Sequence, residues 1–387
     1  MKLGAGKSEI MLDRLLPIAT FKGIQDPLMV RSVYIEQNQS LLLVSLEMTS
    51  LPDYAIDHLK QKLSSKFQLA KETIFIMVTH TFSAPHLRSS QALKNLSKQE
   101  SRQNQQLLSA VSLATISACE KSVNSLEEAR LEYGKGSCDI NINRDIETDK
   151  GWWLGQNPRG YSNKEIRLIR AYSQKSGKCL AYLYSYDMQS SFFKEDKEKI
   201  TGDLVGQISR RIEENKVKVA LYLLGSAGDQ APKYEEPAED LITSFIASLD
   251  SIETNPLACS RISYDNEIVL LPGQKIKPMK ELSPNRHYLF EQDKKRACVI
   301  DFLQIGDWKI VALQPELTSQ LGQKILTTLP STSMLITMVN GGQKYLADWE
   351  SYEKRTYEAM NSYFAQGSGE ILQRFIKDFW QGKEEEI

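Results

Sequence analysis

Three times along this chain an apolar, strand-like run is followed by a loop, an amphipathic helix and a second apolar run that empties into another loop. The first copy is Leu41–Leu46, then helix 53–67 with Ile56, Leu59, Leu63 and Phe67 at helical spacing, strand 73–78 and the loop around His80. The second is Cys179–Tyr186, helix Asp203–Asn215, strand Val217–Leu224 and the loop Gly225–Pro232. The third is Trp308–Leu313, the loop Gln314-Pro315-Glu316, helix Thr318–Leu329, strand Met334–Val339 and the loop Asn340–Tyr345. A strand–helix–strand crossover makes its two strands parallel, so both loops of a unit reach the same edge. That edge is where open α/β sheets bind ligands. The pattern predicts an α/β fold of mixed, largely parallel sheets flanked by helices. His80, Asp187, Gln189, Asp229, Glu316 and Tyr345 are then expected on one rim.

The remaining segments fit a single domain over residues 1–387. With 41% hydrophobic and 25% charged residues the chain has the profile of a soluble globular protein. A net charge of -1 with interspersed signs leaves no footprint for nucleic acid or a membrane surface. No long apolar segment follows Met1–Lys7, so neither a signal peptide nor a stable membrane anchor is expected. Five scattered cysteines with no C-x-x-C pair predict reduced thiols, a cytoplasmic location and no thiolate zinc site. Leu28–Glu36 reads as a further strand. Residues 88–130 read as a long helix, interrupted near Ser101, with Leu107, Leu108, Val111, Leu113 and Ile116 on its core stripe. Residues 134–161, with several glycines, Trp152, Trp153 and the turn Asn157–Gly160, read as a long surface loop of the kind that often binds ligands. Its tryptophans either pack over the core or wall a substrate. Gly369–Phe379 reads as a closing amphipathic helix, and Lys383–Glu386 as a solvated charge run.

Chemistry concentrates at Thr79-His80-Thr81-Phe82-Ser83-Ala84-Pro85, where a strand end delivers an imidazole and hydroxyls to the rim. The plain alternative is a hydrogen-bonded histidine closing a turn before Pro85. Asp229, in Gly225-Ser226-Ala227-Gly228-Asp229, is either a catalytic carboxylate or a cap for backbone N–H groups in a glycine-rich turn. That loop lacks the lysine of a phosphate loop, which argues against nucleotide binding.

Taken in order, five segments resemble motifs of the neutral/alkaline non-lysosomal ceramidase family, zinc-dependent amidases. Asp26-Pro27-Leu28-Met29-Val30-Arg31 is similar to D-P-L-x-x-R, Thr79–Pro85 to T-H-T-H-S-G-P, and Asn141-Ile142-Asn143-Arg144 to N-x-N-R. Gly228-Asp229-Gln230-Ala231-Pro232 resembles G-D-x-S-P or G-D-x-N-P, and Asn340–Tyr345 resembles N-x-x-x-x-Y. The resemblance covers most of the chain, with no stretch expected to match the family's C-terminal immunoglobulin-like domain. It implies zinc held by His80, Glu316, Tyr345 and a second histidine, whose place falls on Gln189. An amide carbonyl is a poor zinc ligand. Asp187 lies two residues away and points to the same side if the strand continues, so it is the other candidate, giving an oxygen-rich site open to a harder metal. His86 is a further candidate, whereas His58 and His287 read as ordinary surface residues. The family's second histidine in T-H-T-H is Phe82 here, and its serine is Ala231.

The implied activity is a metal-activated water attacking an amide or ester of a small molecule other than a long-chain ceramide. Asp229 would orient the water or act as base, and Tyr345 or Arg144 would stabilise the oxyanion. The alternative is a family member that has lost its metal and its turnover and serves as a binding or scaffold protein. The oligomeric state is left open by the sequence.

Overall fold

In the strand Ser40–Leu46, Leu42, Val44 and Leu46 belong to one hydrophobic cluster, while Leu41 and Leu43 belong to another. This alternation follows from the two-residue period of a strand, and here both faces are apolar because both are covered. In the computed structural model, which describes residues 1–385, that strand lies in a nine-stranded sheet. One face of the sheet packs on helices Asp53–Phe67, Lys98–Asn124, Asp203–Asn215 and Ala238–Asp250 through residues such as Leu59, Val111, Ile208 and Phe245. The other face packs on a four-stranded sheet through Ile305, Trp308, Ile310 and Ile336. The far side of that second sheet, with Ile300, Phe302 and Val311, is covered by helices Ser319–Leu326 and Ser368–Glu385. The result is four layers: helices, sheet, sheet, helices.

The expectation of largely parallel sheets is corrected. In the large sheet only Ser40–Leu46 with Ile74–Val78 and Cys179–Tyr186 with Val219–Leu224 run parallel. Its other pairs, from Val219–Leu224 at one edge through Lys2–Glu9 to Ile74–Val78 at the other, are antiparallel. The smaller sheet has one parallel pair, Trp308–Leu313 with Met334–Ile336. Unbroken apolar runs mark strands covered on both faces, which in βαβ proteins are parallel. Here a second sheet provides the cover, so antiparallel strands carry the same signature. One helix lies between the strands of each parallel pair: Asp53–Phe67, Asp203–Asn215 and Ser319–Leu326. Thr337 N donates to Leu224 O at 2.8 Å and Asn340 N to Ile76 O at 2.7 Å, tying the third pair's exit to the other two.

Two further expectations change. Residues 134–161 are strands rather than a loop: Glu127–Ser137, then the hairpin Asn141–Thr148 and Gly151–Asn157, which Gln230–Pro232 extends to three strands. A Cβ at Gly134 would sit 2.4 Å from the Glu253 carbonyl oxygen, so this glycine serves close packing of an edge strand. The long helix is Lys98–Asn124, opened by a capping box in which Ser97 and Glu100 exchange hydrogen bonds; a separate short turn covers Ser90–Leu93. The charge run at the C-terminus ends on Glu386, outside the described residues. Among the described residues no helix is long and apolar enough to cross a membrane.

The strand Lys2–Glu9 lies against the helix Lys98–Asn124 through Gly4 and Gly6. A Cβ at Gly4 would fall 1.9 Å from the Ser122 carbonyl oxygen, whereas one at Gly23 meets nothing within 4 Å. Gly4→Ala is therefore expected to lower stability by about 1–3 kcal/mol in urea denaturation, with Gly23→Ala near wild type. Matching midpoints for the two variants would contradict this packing.

Candidate active site

His80 follows the strand Ile74–Val78 and holds a left-handed backbone, φ 59°, a conformation that costs a non-glycine residue of order 1–3 kcal/mol. Its ring Nδ1 lies 2.5 Å from the Thr49 carbonyl oxygen. A carbonyl only accepts, so Nδ1 carries the hydrogen, and in the neutral ring Nε2 is the nitrogen with the lone pair. That Nε2 is buried without a hydrogen-bond partner, 3.7 Å from Glu316 Oε1. The Phe82 ring packs edge-on to the imidazole, with centroids 4.8 Å apart.

The short strand Glu316–Leu317 pairs parallel with Tyr345–Leu346, a register that sets Glu316 beside Tyr345. Glu316 Oε1 accepts from Gln189 Nε2 at 2.6 Å, and Gln189 Oε1 accepts from Arg144 Nη1 at 2.7 Å. Arg144 Nη2 also donates to the Tyr345 hydroxyl at 3.1 Å. Its Nε and Nη2 donate to Glu358 Oε1 at 2.9 and 2.7 Å. All five of these side chains are buried. Burial opposes the charge on Arg144, but Tyr345, Glu358 and Glu316 outweigh it and hold its pKa well above the ordinary value. Burial likewise pushes the Tyr345 phenol upward against the pull of Arg144, so Tyr345 is a neutral hydroxyl. On the next residue, burial and the neighbouring Glu358 raise the Asp145 carboxyl far above its usual range. Asp145 Oδ1 and Glu358 Oε2 are both buried without a hydrogen-bond partner.

Strand alternation divides these residues between two cavities. Arg144 faces a cavity of about 810 Å³ with Phe82, Gln189, Phe192, Tyr234, Tyr345 and Tyr357. Asn143 and Asp145 face one of about 530 Å³ with Trp152, Tyr161, Asp229 and Lys354. Pairing with Gly151–Asn157 slips by one residue opposite Arg144, and there Gly155 and Gln156 line the larger cavity.

His80, Gln189, Glu316, Tyr345 and Arg144 are thus brought into one network, and two expected residues are not. Asp187 Oδ1 accepts from Ser226 N at 2.9 Å, and its Oδ2 accepts from Ser319 Oγ at 3.0 Å and Asn163 Nδ2 at 3.2 Å. The strand ends at Tyr186 and the chain turns at once, Met188 N donating to Tyr186 O, so strand alternation does not bring Asp187 alongside Gln189. Asp229 Oδ1 accepts from Ser319 N at 2.7 Å and Oδ2 from Asn143 Nδ2 at 3.0 Å, so it caps the start of helix Ser319–Leu326. His86 is exposed in a separate cleft with Pro17 and Arg88; His287 is exposed and His58 half-buried. Trp153 packs on Tyr357, and Lys354 lies over the Trp152 ring. Sequence reasoning missed Thr49 and Glu358. Thr49 follows a strand of the first repeated unit and was placeable on the rim, but nothing around Glu358 marks it.

The donor set does not fit zinc. Zinc takes three or four lone pairs from a protein, and the space beside Glu316 Oε1 offers one nitrogen lone pair, from His80. Gln189 presents N–H groups there, because Arg144 fixes its carbonyl on the opposite side. The Tyr345 oxygen accepts from a guanidinium. Among the described residues no group of three or more His, Cys, Asp or Glu side chains could hold a metal ion.

By sequence, no family model and no curated protein matches the chain. Solved structures do match. A ceramidase complexed with C2 superposes with a TM-score of 0.77 at 14% identity, covering 100% of this chain and 75% of that one. A neutral ceramidase from Pseudomonas aeruginosa superposes with a TM-score of 0.76 at 15% identity, covering 97% and 73%. The chain has the neutral ceramidase fold. At this identity the likeness is one of architecture, so the chemistry of this ceramidase-fold site is read from its own residues.

Burial pushes Asp229 up to about 7 from an ordinary 3.8, against the hydrogen bond from Ser319. A folded pKa raised in this way gives stability that is full below the unfolded value and lost as pH rises through about 7. The melting temperature of wild type is expected to fall more between about pH 5 and pH 8 than that of Asp229→Asn. Equal slopes would remove Asp229 as the buried titrating group.

Proposed function

We propose that this chain is an amidohydrolase-like protein that acts on the amide or ester carbonyl of a small amphiphilic acyl compound. The observation that supports it is the larger cavity, where Arg144, Gln189 and the Tyr345 hydroxyl form a polar floor beneath aromatic walls. A volume of about 810 Å³ is within the range of small-molecule sites, and Phe82, Phe192, Tyr234 and Tyr357 suit the apolar part of such a ligand. Since the Tyr345 oxygen accepts from Arg144, its own hydrogen is free to donate, and the guanidinium strengthens it as a donor. Placed against a carbonyl oxygen, that hydroxyl stabilises the negative charge that develops there. The base is His80 Nε2, held in one tautomer by the Thr49 carbonyl, as an orienting group holds a catalytic imidazole. Gln189 gives its N–H to the same Glu316 oxygen that lies 3.7 Å from this nitrogen. No step in this reading passes through a metal, and Asp229 takes no part in it.

A second reading is binding without turnover in the same cavity, where Gln189 is held at both ends by Arg144 and by Glu316. A panel of p-nitrophenyl esters and N-acyl amides of increasing chain length separates the two. Under the first reading His80→Ala lowers kcat/KM by about 10²–10⁴ and Phe192→Ala mainly raises KM for longer chains. Saturable binding of the same compounds by calorimetry, weakened by Phe192→Ala and with no hydrolysis, would establish the second.

A further inference from the structure

The neutral ceramidase resemblance assigns a cation to the space bounded by His80, Gln189, Glu316 and Tyr345, and the side chains of this chain disagree with that assignment. We propose that the Gln189 amide, turned by Arg144 so that it gives its N–H to Glu316, closes this site to a metal, so that the protein is built to work without a bound ion. The hydrogen-bond chain has one direction. Gln189 Oε1 receives Arg144 Nη1 at 2.7 Å and its Nε2 gives to Glu316 Oε1 at 2.6 Å. Turning the amide over would set its NH₂ group against the guanidinium N–H and its carbonyl against the carboxylate, two repulsive contacts in a buried site. The amide therefore cannot offer its oxygen to an ion beside Glu316 while Arg144 is in place. Arg144 is in turn fixed by two bonds to Glu358 Oε1, with Glu358 fully buried. A guanidinium keeps its charge at every accessible pH, so this arrangement is permanent rather than switched.

The inference concerns metal content and stands whether or not acyl compounds are turned over. Its test is elemental analysis of the purified full chain, together with zinc titration against a chromogenic chelator, for wild type, Gln189→His and Gln189→His/Glu316→Gln. Wild type is expected to carry substoichiometric zinc and to gain no thermal stability from added zinc. Gln189→His restores an imidazole opposite His80 and is expected to take up about one zinc per chain, with a rise in melting temperature that the added Glu316→Gln change abolishes. Wild type holding about one zinc, manganese or iron per chain, lost in Glu316→Gln, would overturn the proposal. So would a folded Gln189→His variant that binds zinc no better than wild type. Should Gln189→His fail to fold, the titration of wild type alone decides the matter.

Discussion

Covering the large sheet on both faces is the constraint from which the rest of the molecule follows. Leu41 and Leu43 pack toward the second sheet while Leu42, Val44 and Leu46 pack toward the helices, so neither face can shift without exposing the other. A register slip of one residue would exchange the two sets but leave both apolar, so hydrophobic pattern alone does not fix pairing here. Side-chain fit and close backbone approach have to do so. Gly4, set against the Ser122 carbonyl, is one such point. With pairing fixed, the ends of Ile74–Val78, Cys179–Tyr186 and Trp308–Leu313 stand at one rim, and their loops meet.

What turns a meeting of loops into a site of defined geometry is a set of buried ionic contacts away from the chemistry. Arg31 Nη1 lies 2.5 Å from Glu47 Oε1, and its Nε donates to Glu213 Oε1 at 2.7 Å, with the arginine and Glu47 almost fully buried. Glu47 Oε2 accepts from Met29 N at 2.9 Å as well. Two residues later, Thr49 supplies the carbonyl that orients His80. Asp26 at the head of the same segment accepts from Gly202 N at 2.9 Å and from Thr201 Oγ1. Of the segment Asp26–Arg31, then, both charged ends anchor neighbouring loops, and neither enters the cavity floor. Breaking one partner of a buried pair of this kind strands the other, which costs about 3–5 kcal/mol. The imidazole's position thus depends on an ion pair several residues removed from it.

Some of this was legible in the sequence because it rests on local pattern. The helix Asp53–Phe67 shows its buried face as Ile56, Leu59 and Leu63, and the three helix-bridged parallel pairs follow from alternating strand and helix periods. The approach of His80, Gln189, Glu316 and Tyr345 follows from placing loop residues on one rim. Pair direction elsewhere was not legible, since a strand covered by a sheet and one covered by helices read alike. The hairpin Asn141–Thr148 with Gly151–Asn157 reads as a loop in the sequence because its glycines and polar residues serve cavity walls rather than a core. Asp187 falls beside Gln189 only if the strand continues, and it stops one residue earlier, at Tyr186. Glu358 had no local signal at all; its meaning comes from Arg144, 214 positions away in the chain.

A site closed to an ion by the Gln189 amide, as proposed above, would have a chemical consequence that narrows what it can do. A metal ion acts on water directly, binding its lone pair and making it a nucleophile near neutral pH. A guanidinium has only N–H donors: it can stabilise an oxygen that is becoming negative, but it cannot generate hydroxide. On the metal-free proposal, hydrolysis draws its base from a neighbouring side chain. Glu316 is already the acceptor of the Gln189 amide, burial raises the Asp145 carboxyl far above its usual range, and Tyr345 is held neutral by burial. Among these groups His80 is the one with an unshared lone pair facing the network. Arg144 reaches Glu316 through Gln189, and His80 Nε2 stands 3.7 Å from the same carboxylate oxygen, so one carboxylate ties the two together.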